Sequence, residues 1–561
     1  MNDKRLIEVA FPLEQTSLDS VHEKNVRHGH ISTLHIWPAR RPLAACRAAL
    51  IATLLPDPGD KDKRDEILMR LAGRVEKTVK KKKLPSGKVE EIAAKETVGG
   101  ILHWGKESGP DLDWFRAEIK KAYGGRAPRV LDPFAGGGAI PLEAMRLGCE
   151  VTAVDINPVA WFILKCTLEY PQKLAGQKRR LPDFALADRE FMEAFFKAQG
   201  LKGALLRTRL ERMGLAEDRE PQLTGIEAGD SLLEADLSWH VRAWGRWVLA
   251  RARKDLARFF PTYAEFEPLG AHLLAWRKKK RDAGLQLIAV DEEGRANVAA
   301  LNADFDEAYL ADRRNPRWVA KPTVAYLWAR TVTCKNCRAT IPLLKTRWLC
   351  KKDSKRVLLT MEPNADKSGV VFRVQHDVLR VGANGAARRE YDRRIGAGTM
   401  NKSGADCPCC TNSIMTMDDI GLESRAGRLG DVMTAVIIEG QTGKEYRSPT
   451  QLEERVSREA AESATRVFSR IPFGALVEPI SSERPSPNTR GASGLPRYAI
   501  DTWGKLFSTR QLLNHATVVR RIRELPKALA QAGYPENWQE AISAYSAACP
   551  PGRIDPGAGL E

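Results

Sequence analysis

The sequence has no apolar run long enough to cross a bilayer. Its longest apolar stretch, from Leu43 to Leu55, is interrupted by Arg47, and it is well short of the roughly 20 residues that a membrane-spanning helix needs. No basic segment followed by an apolar one opens the chain, as a secretory signal peptide requires. We therefore expect a cytoplasmic protein with no membrane partner. The absence of internal repeats argues against a solenoid.

Cysteine is present, but not in the pattern of a disulfide scaffold. Cys46, Cys149 and Cys166 are isolated in apolar surroundings, whereas later cysteines form two CxxC pairs. This distribution is typical of a protein of the reducing cytoplasm that carries a metal site.

The two CxxC pairs supply four thiolates for a tetrahedral structural Zn²⁺. The expected ligands are Cys334, Cys337, Cys407 and Cys410. A redox-active CxxC would begin a helix in a thioredoxin-like context, which the sequence does not show. The long gap between the pairs predicts an inserted β lobe. Free buried thiols are the alternative, and Cys409 or Cys350 could replace one of the ligands.

Positive charge exceeds negative charge, with 89 Lys and Arg against 71 Asp and Glu and a formal net charge of +18. The excess is spread over several clusters, which are Lys80–Lys83, Arg277–Arg281, Arg388-Arg389 with Arg393-Arg394, and Arg520-Arg521 with Arg523. Such clusters favour a polyanionic partner, and DNA is the partner we expect. A well-solvated surface is the alternative.

A further group of basic residues surrounds an aromatic one in the expected lobe. The group consists of Lys345, Arg347, Trp348, Lys351 and Lys352. Basic groups beside an aromatic ring suit contact with nucleic acid backbone and bases. They equally suit an ordinary exposed β lobe.

Composition and periodicity divide the chain into six expected segments. These are an N-terminal cofactor-supporting segment at 1–56, a basic helical insertion at 57–126, the first half of the core with a helical extension at 127–330, a zinc-ribbon-like insert with a role in DNA recognition at 331–425, an α+β return toward the core at 426–548 and a disordered tail at 549–561. Local patterns predict helices at Pro42–Leu55 and Val241–Phe260, a strand at Val432–Glu439, and helices opened by capping boxes at Ser448 and Ser508, the second kinked or ended by Pro526.

Residues 127–172 alternate between strand and helix. The pattern predicts a strand at Arg129–Leu131, a helix at Ile140–Leu147, a strand at Glu150–Val154 and a helix opened by Asn157-Pro158. Such alternation predicts a parallel sheet with helices on its faces.

A glycine loop joins the first of these strands to its helix. The loop reads Asp132-Pro133-Phe134-Ala135-Gly136-Gly137-Gly138. Glycines let the backbone turn sharply and approach a ligand, and the following helix presents its N-terminus to that ligand. The loop lacks the G-x-G-x-x-G of a dinucleotide site and the Gly-Lys-Ser/Thr of a phosphate loop. An acid ahead of the glycines suits a positively charged cofactor with an amino-acid moiety, and Asp155, ending the next strand, can accept both ribose hydroxyls.

This loop resembles motif I of amino-group DNA methyltransferases, and Asp155 stands in the position of motif II. Glu23–His30 and Leu34–Leu43 are similar to the opening of large bacterial adenine-specific DNA methylases that contain a zinc ribbon and are often encoded with phage-defence genes. Pro322–Thr331 and Thr502–Leu513 also resemble that family. The resemblance therefore runs from about residue 5 to about residue 520.

The resemblance implies a Rossmann-like class I methyltransferase core with an inserted zinc-binding β lobe and helical additions. It implies S-adenosylmethionine as cofactor, DNA as substrate, phage defence or restriction–modification as the setting, and other defence-system proteins as partners. The residues it implies for the cofactor are Asp132, Pro133, Phe134, Ala135, Gly136, Gly138, Asp155, Ile156 and Asn157, with His35 and Pro38 at the methionine end.

The catalytic motif of that family, Asp/Asn/Ser-Pro-Pro-aromatic, is missing from the sequence. It would accept protons from the target amine and stack a ring on the flipped base. Pro550-Pro551 lacks both the acceptor and the aromatic, and Asn315-Pro316-Arg317-Trp318 has arginine in place of the second proline. We therefore expect a core that is truncated or altered near residue 546, unless 549–561 is a natural disordered tail, and the catalytic residue is unknown.

Three functions stay open at this stage. The resemblance implies an S-adenosylmethionine-dependent DNA methyltransferase acting on adenine N6. The missing motif favours a truncated, catalytically deficient fragment that binds cofactor and DNA without turnover. Methylation of RNA is the third, less favoured because the glycine loop is of the DNA-amine variety.

Overall fold

The computed structural model describes most of the chain. The described residues are 4–26, 29–83, 89–215, 233–267, 284–289, 296–312, 315–401, 403–410, 414–440, 443–469, 477–482 and 492–548. They divide into two compact units, one from Met1–Trp244 with Pro526–Pro550 and the other from Gly245–Leu525. The basic cluster at Arg277–Arg281 and the tail at 549–561 lie outside the described residues.

The first unit opens with helices and a long hairpin. Its elements are α1 Leu6–Val9, α2 Leu13–Glu23, α3 Leu43–Leu54, α4 Lys61–Ala72, β1 Arg74–Lys83, β2 Val89–Val98 and α5 Pro110–Ala122. The helix expected at Pro42–Leu55 is confirmed as α3. The basic insertion is helical in α4 and α5, but β1 and β2 form an antiparallel ladder, so the prediction of a helical insertion is wrong for these strands. Their register runs from Arg74 opposite Val98 to Lys83 opposite Val89.

The expected alternation of strand and helix follows. Its elements are β3 Arg129–Asp132, α6 Ala139–Arg146, β4 Glu150–Ala153 and α7 Pro158–Leu164. β3 and β4 pair in parallel, from Arg129 opposite Glu150 to Asp132 opposite Ala153. The bounds agree with the prediction to within one residue. No other parallel pair occurs among the described strands, so the described residues contain this β-α-β unit and not a larger Rossmann-like sheet.

A buried ion pair joins α3 to α6. The Arg47 side chain is 1% exposed and that of Glu143 is 0% exposed, and Arg47 Nε donates to Glu143 Oε2 at 2.6 Å. Arg47 also donates to the carbonyl of Ile101, and Arg146 donates to the second Glu143 oxygen. Apolar residues of α3, α4 and α5 surround this pair, among them Ile51, Leu71 and Phe115.

The rest of the first unit is mostly helical, as expected. Its elements are α8 Tyr170–Lys173, β5 Arg179–Arg180, α9 Asp183–Leu186, α10 Arg189–Ala198, α11 Gly203–Arg212, β6 Glu234–Ala235 and the first part of α12 Leu237–Leu256. One apolar cluster packs α10 against α11, with Phe195, Phe196 and Leu210 at its centre. The helix expected at Val241–Phe260 is confirmed as α12, which begins four residues earlier.

The second unit is built from antiparallel strands. They are β7 Thr262–Glu267, β8 Gln286–Ile288, β9 Arg317–Lys321, β10 Thr323–Thr333, β11 Thr340–Leu343, β12 Trp348–Lys352, β13 Lys355–Pro363, β14 Val370–Gln375, β15 Gly404–Asp406, β16 Ile414–Thr416, β17 Gly430–Gly440 and β18 Gly443–Arg447. They form sheets ordered β8-β7-β9, β11-β10-β17-β18, β12-β13-β14 and β15-β16. The strand predicted at Val432–Glu439 is confirmed within β17.

Helices flank these sheets. They are α13 Glu307–Ala311, α14 Gly385–Ile395, α15 Met417–Glu423, α16 Gln451–Phe468 and α17 Thr509–Gln531. The capping box of α16 uses Thr450 with Glu453, so the prediction of Ser448 as the cap is wrong. Glu453 is buried and also pairs with Arg447, a tertiary contact that selects the later cap. The box at Ser508 is confirmed by its exchange of hydrogen bonds with Gln511, and α17 continues through Pro526.

The two later stretches that resemble the methylase family meet inside the second unit. Arg510, in the first turn of α17, is fully buried, and its guanidinium lies 3.8 Å from the ring centroid of Tyr326 on β10. It also donates to the carbonyl of Phe259. A buried cation against an aromatic face is a strong packing constraint, so this contact fixes the start of α17 against β10.

The chain returns to the first unit with α18, Glu536–Ala548. Tyr545 Oη donates to the carbonyl of Cys166 at 2.5 Å, and Tyr170 Oη donates to Glu540 at 2.8 Å. None of the described helices in either unit combines the length and the apolar character that a membrane span needs.

Glu143→Gln should destabilise the first unit by about 3–5 kcal/mol, because Arg47 would be left as a buried charge without its counter-ion. Urea denaturation followed by far-UV circular dichroism measures the change. Glu66→Gln, which breaks the exposed pair of Glu66 with Arg70, is the control and should cost less than about 1 kcal/mol. Equal effects of the two substitutions would contradict a structural role for the buried pair.

Candidate functional site

Two acids organise the glycine loop. Asp132 ends β3, is buried, and its Oδ1 accepts a hydrogen bond from the Phe134 backbone at 3.1 Å. Asp155 follows β4, and its two oxygens accept from the N–H groups of Gly136 and Asn157, each at 2.8 Å. Asp155 therefore fastens the glycine loop to the turn that opens α7.

Backbone conformation and a neighbouring side chain both require glycine in the loop. Gly136 and Gly138 have φ values of +50° and +83°, which side chains other than glycine adopt with strain. A Cβ on Gly136 would lie 2.5 Å from Trp37 Nε1, and one on Gly137 would lie 3.1 Å from Trp37 Cβ. The indole of Trp37 therefore occupies the space that a Cβ on Gly136 would need, and Gly136 as a cofactor residue stays a prediction.

Trp37 is thus a site residue that sequence reasoning missed. It lies between His35 and Pro38, the two residues predicted to hold the methionine end of the cofactor. The signal that could have found it was the stretch Leu34–Leu43, which was noticed for its resemblance and not for its aromatic residue.

A buried polar cluster shapes the segment that carries Trp37. One oxygen of Glu23 pairs with His30 Nε2 at 2.8 Å and with Arg40 at 3.1 Å, and the other accepts from the Ala44 backbone at 3.1 Å. Burial opposes ionisation of Glu23, but these hydrogen bonds, with one from the Leu43 backbone, outweigh it and lower its pKa to about 2. The carboxylate caps the start of α3 and fixes both ends of the segment.

The remaining residues predicted for the cofactor border the carboxyl ends of β3 and β4. Pro133, His35 and Pro38 are exposed, Ala135 and Gly138 are buried, and Phe134 and Ile156 are 84% and 98% exposed. Asn157 caps α7 through the Val159 N–H. We call these exposed residues, Phe134 and Ile156, together with the carboxylates of Asp132 and Asp155, the rim. An apolar ring could pack on the two apolar side chains, and hydroxyl groups could donate hydrogen bonds to the carboxylates. This supports a ligand at the rim without defining a closed pocket.

The four predicted cysteines come together in the second unit. The sulfur atoms of Cys334, Cys337, Cys407 and Cys410 all lie within 4.8 Å of one another. Cys334 and Cys410 are 3.8 Å apart, and Cys337 and Cys407 are 3.6 Å apart. Tetrahedral zinc with bonds of about 2.3 Å would separate its sulfur ligands by about 3.8 Å, so the cluster can hold a metal ion such as zinc.

Each CxxC pair lies at the tip of a hairpin. The first follows β10 and precedes β11, and the second lies between β15 and β16. In the first knuckle the Cys334 N–H donates to the Ala339 carbonyl, and Arg338 adopts a left-handed φ of 61°. Burial opposes ionisation of Cys334, but N–H groups of Cys337 and Asn336 outweigh it and bring its pKa to about 7. Burial instead raises the pKa of the Cys337 and Cys407 thiols, and metal binding would require all four to lose their protons.

Neither alternative cysteine joins the cluster. Cys409 is buried, and its sulfur donates to the carbonyl of Gly369 at 3.2 Å. Cys350 lies on β12 and interacts with Tyr446. The four-sulfur group found among the described residues contains neither of them.

Several basic residues predicted to meet nucleic acid have structural partners instead. Arg520 and Arg521 both pair with Asp255 on α12. Trp348 donates from Nε1 to the Asp392 carbonyl and lies against Gly396, so its ring supports α14. This packing fits the alternative of an ordinary β lobe, and contact of the group with nucleic acid stays a prediction.

The near miss to a catalytic motif also has local roles. Asn315 donates to the carbonyl of Tyr309 at 2.8 Å, and Arg317 donates to the carbonyl of Leu310 at 2.6 Å. Trp318 begins its strand with a hydrogen bond to Asn302. These bonds explain the stretch as the start of β9, and they leave the catalytic residue unassigned.

Residues 10–77 match the model of a family described as a protein of unknown function, DUF1156. No curated protein and no solved structure matches the chain. The matched segment contains α2, α3 and α4 and the loop that places Trp37 on the glycines. The match therefore covers the structural support of the glycine loop and not the loop itself.

Cys407→Ser should remove the bound metal, because a closed four-thiolate site tolerates no missing ligand. The purified chain should carry about one equivalent of zinc by plasma emission spectrometry. Cys409→Ser is the matched control, since it removes a neighbouring buried thiol that is not in the cluster, and it should keep the metal. Full metal content in the Cys407 variant would refute the ligand set.

Proposed function

We propose that this chain is the cofactor- and DNA-binding part of an S-adenosylmethionine-dependent DNA methyltransferase that acts on adenine N6. The observation that carries the proposal is the pair of acids at the ends of adjacent parallel strands, with the glycine loop between them. Open α/β sheets bind their ligands at the carboxyl ends of the strands, and the glycine-loop sequence is the part of the chain that most resembles amino-group methyltransferases.

The rim offers a partner for each part of the cofactor. Asp155 uses one lone pair on each oxygen for the loop N–H groups, and a carboxylate has about four acceptor sites. It therefore keeps capacity for the ribose hydroxyls. Phe134 and Ile156 expose apolar surface for the adenine ring. His35 and Pro38 flank Trp37 and are our candidates for the methionine end.

The four-cysteine cluster suits a structural zinc rather than a catalytic one. All four ligands are thiolates from the protein, so no position is open for water or substrate. The ion would tie the hairpin β10–β11 to the hairpin β15–β16 and would stabilise the lobe between them. The +18 net charge and the resemblance support DNA as the partner, with a cytoplasmic setting in phage defence and other defence-system proteins as associates.

A second candidate function is binding without turnover, and the missing catalytic motif favours it. Methyl transfer to an amine needs a group that accepts its protons and positions the nitrogen. The proton acceptors at the glycine loop, Asp132 and Asp155, are assigned to the cofactor in this proposal, so they are not available for the target amine. RNA methylation is a third candidate, for which the site offers no specific support.

Asp155→Ala should weaken S-adenosylmethionine binding by about 1.5–3 kcal/mol, because it removes a charged acceptor for the ribose. Isothermal titration calorimetry measures the affinity. Asp183→Ala, at an exposed acid of the same unit, is the control. Because Asp155 also fastens the glycine loop, thermal melting must accompany the titration. Unchanged affinity in a folded Asp155 variant would remove this residue from the cofactor site.

The chain alone should bind cofactor but should not methylate DNA at a useful rate, because it lacks the proton acceptor and stacking residue of the motif. Transfer of labelled methyl groups to unmethylated bacterial DNA tests this, with titration of the cofactor on the same sample. Robust transfer would overturn the second candidate and would make Asn315 the first residue to replace. Failure to bind the cofactor at all would overturn the proposal itself.

A further inference from the structure

One of the basic segments of the chain lies in the second unit. Residues 341–400 contain 13 Lys and Arg against 6 Asp and Glu, and they contribute +7 of the net +18. This segment includes the sheet β12-β13-β14 and the helix α14 that packs on it. Its arginines and lysines divide into those that hold the lobe together and those that face solvent.

The first group anchors α14 to the sheet. Arg356 is buried and donates to both oxygens of Asp392, the one residue buried within α14. Lys351 lies 3.2 Å from the same carboxylate. Arg347 donates to the carbonyls of Ile395 and Ala397 at the end of the helix. Because these side chains already pair with groups of α14, they are poor candidates for binding a ligand.

The second group lies on α14 itself. Arg389 and Arg394 are exposed and have no carboxylate partner among the described residues. Arg393 pairs with Glu390, but both side chains are largely exposed, at 78% and 62%, and such a pair contributes little. Arg389 and Arg393 are four residues apart, so they lie one turn apart on the same side of the helix.

The helix is unusual in how little it buries. An amphipathic helix buries an apolar stripe, whereas α14 buries the carboxylate of Asp392 and keeps Gly385 to Glu390 exposed. It is held by polar anchors, which are the Arg356–Asp392 pair and the bond from Trp348 Nε1 to the Asp392 carbonyl at 2.9 Å. Gly396 lets the helix end pass close to Trp348. The result is a firmly fixed helix that presents arginines to solvent.

We propose that α14 inserts into the major groove of double-stranded DNA, with Arg389 and Arg393 directed at the duplex. The inference rests on the proposed function for its choice of DNA. The major groove of B-form DNA admits an α-helix, and arginine can bind guanine there with two hydrogen bonds. The major groove of A-form RNA is too deep and narrow for side chains to read, so the geometry favours DNA over RNA duplexes.

The test is binding of the full zinc-loaded chain to a fluorescein-labelled DNA duplex of about 20 base pairs, two helical turns. Fluorescence anisotropy is recorded between about 50 and 200 mM salt. The double variant Arg389→Ala with Arg393→Ala should bind guanine-containing duplexes more weakly, and its salt slope should fall because two cationic side chains leave the duplex. Arg455→Ala with Arg458→Ala is the matched control, since it removes two exposed arginines from α16 in the same unit.

Each result decides the inference. Affinity and salt slope equal to those of the control pair would overturn it, as would tighter binding of an RNA duplex than of the DNA duplex. Arg389→Lys with Arg393→Lys should keep the salt slope and lose any preference for guanine-rich duplexes, because lysine keeps the charge without the fork. Zinc content and thermal melting confirm that each variant is folded. Cofactor titration on the same samples separates this inference from the proposed function, since DNA binding through α14 does not require cofactor binding.

Discussion

The buried pair of Arg47 and Glu143 is the constraint on which the first unit depends. Two charges removed from water are tolerated only when each finds the other in good geometry, and here the partners are 96 residues apart in the chain. Because Glu143 belongs to the helix that follows the glycine loop and Arg47 to α3, the pair fixes one helix against the other. The position of the glycine loop is therefore tied to the segment that precedes α3.

That coupling explains why Trp37 and the glycines belong together. Between α2 and α3 the one regular element among the described residues is a short 3-10 turn at Ile31–Thr33, so side-chain hydrogen bonds must hold the described part of the segment in shape. Glu23 stabilises this segment, because its carboxylate forms hydrogen bonds with His30, with Arg40 and with the backbone at the start of α3. The indole of Trp37 can then pack directly on the backbone of Gly136 and Gly137, which have no side chain to collide with it.

Features set by residues close together in the chain could be predicted from the sequence, whereas contacts between residues far apart in the chain could not. Strand, turn and helix signals at 127–172 lie within a few residues of one another, and the CxxC spacing limits where thiolates can meet, so both predictions agree with the structure. The helix cap at Thr450 depends on the tertiary contact of Glu453 with Arg447. The indole of Trp348 packs on a helix and donates to the Asp392 carbonyl, 44 residues away in the chain. The β1–β2 ladder was missed because the lysine-rich segment was interpreted as helical, and the pairing of one strand with the other cannot be inferred from the composition of either strand alone.

The charge of the two candidate sites is the strongest physical argument for assigning both to one activity. Under the proposed function the cofactor carries a sulfonium cation, and the carboxylates of Asp132 and Asp155 at the glycine loop would attract it. DNA carries about one phosphate charge per 1.7 Å of helix axis, and α14 offers arginines without local carboxylate partners at Arg389 and Arg394. An acidic rim would repel DNA, and an arginine-rich helix would repel a cationic cofactor. Under the proposed function, placing the carboxylates on the β-α-β unit and the arginines on the four-cysteine lobe keeps the two opposite charges on different elements.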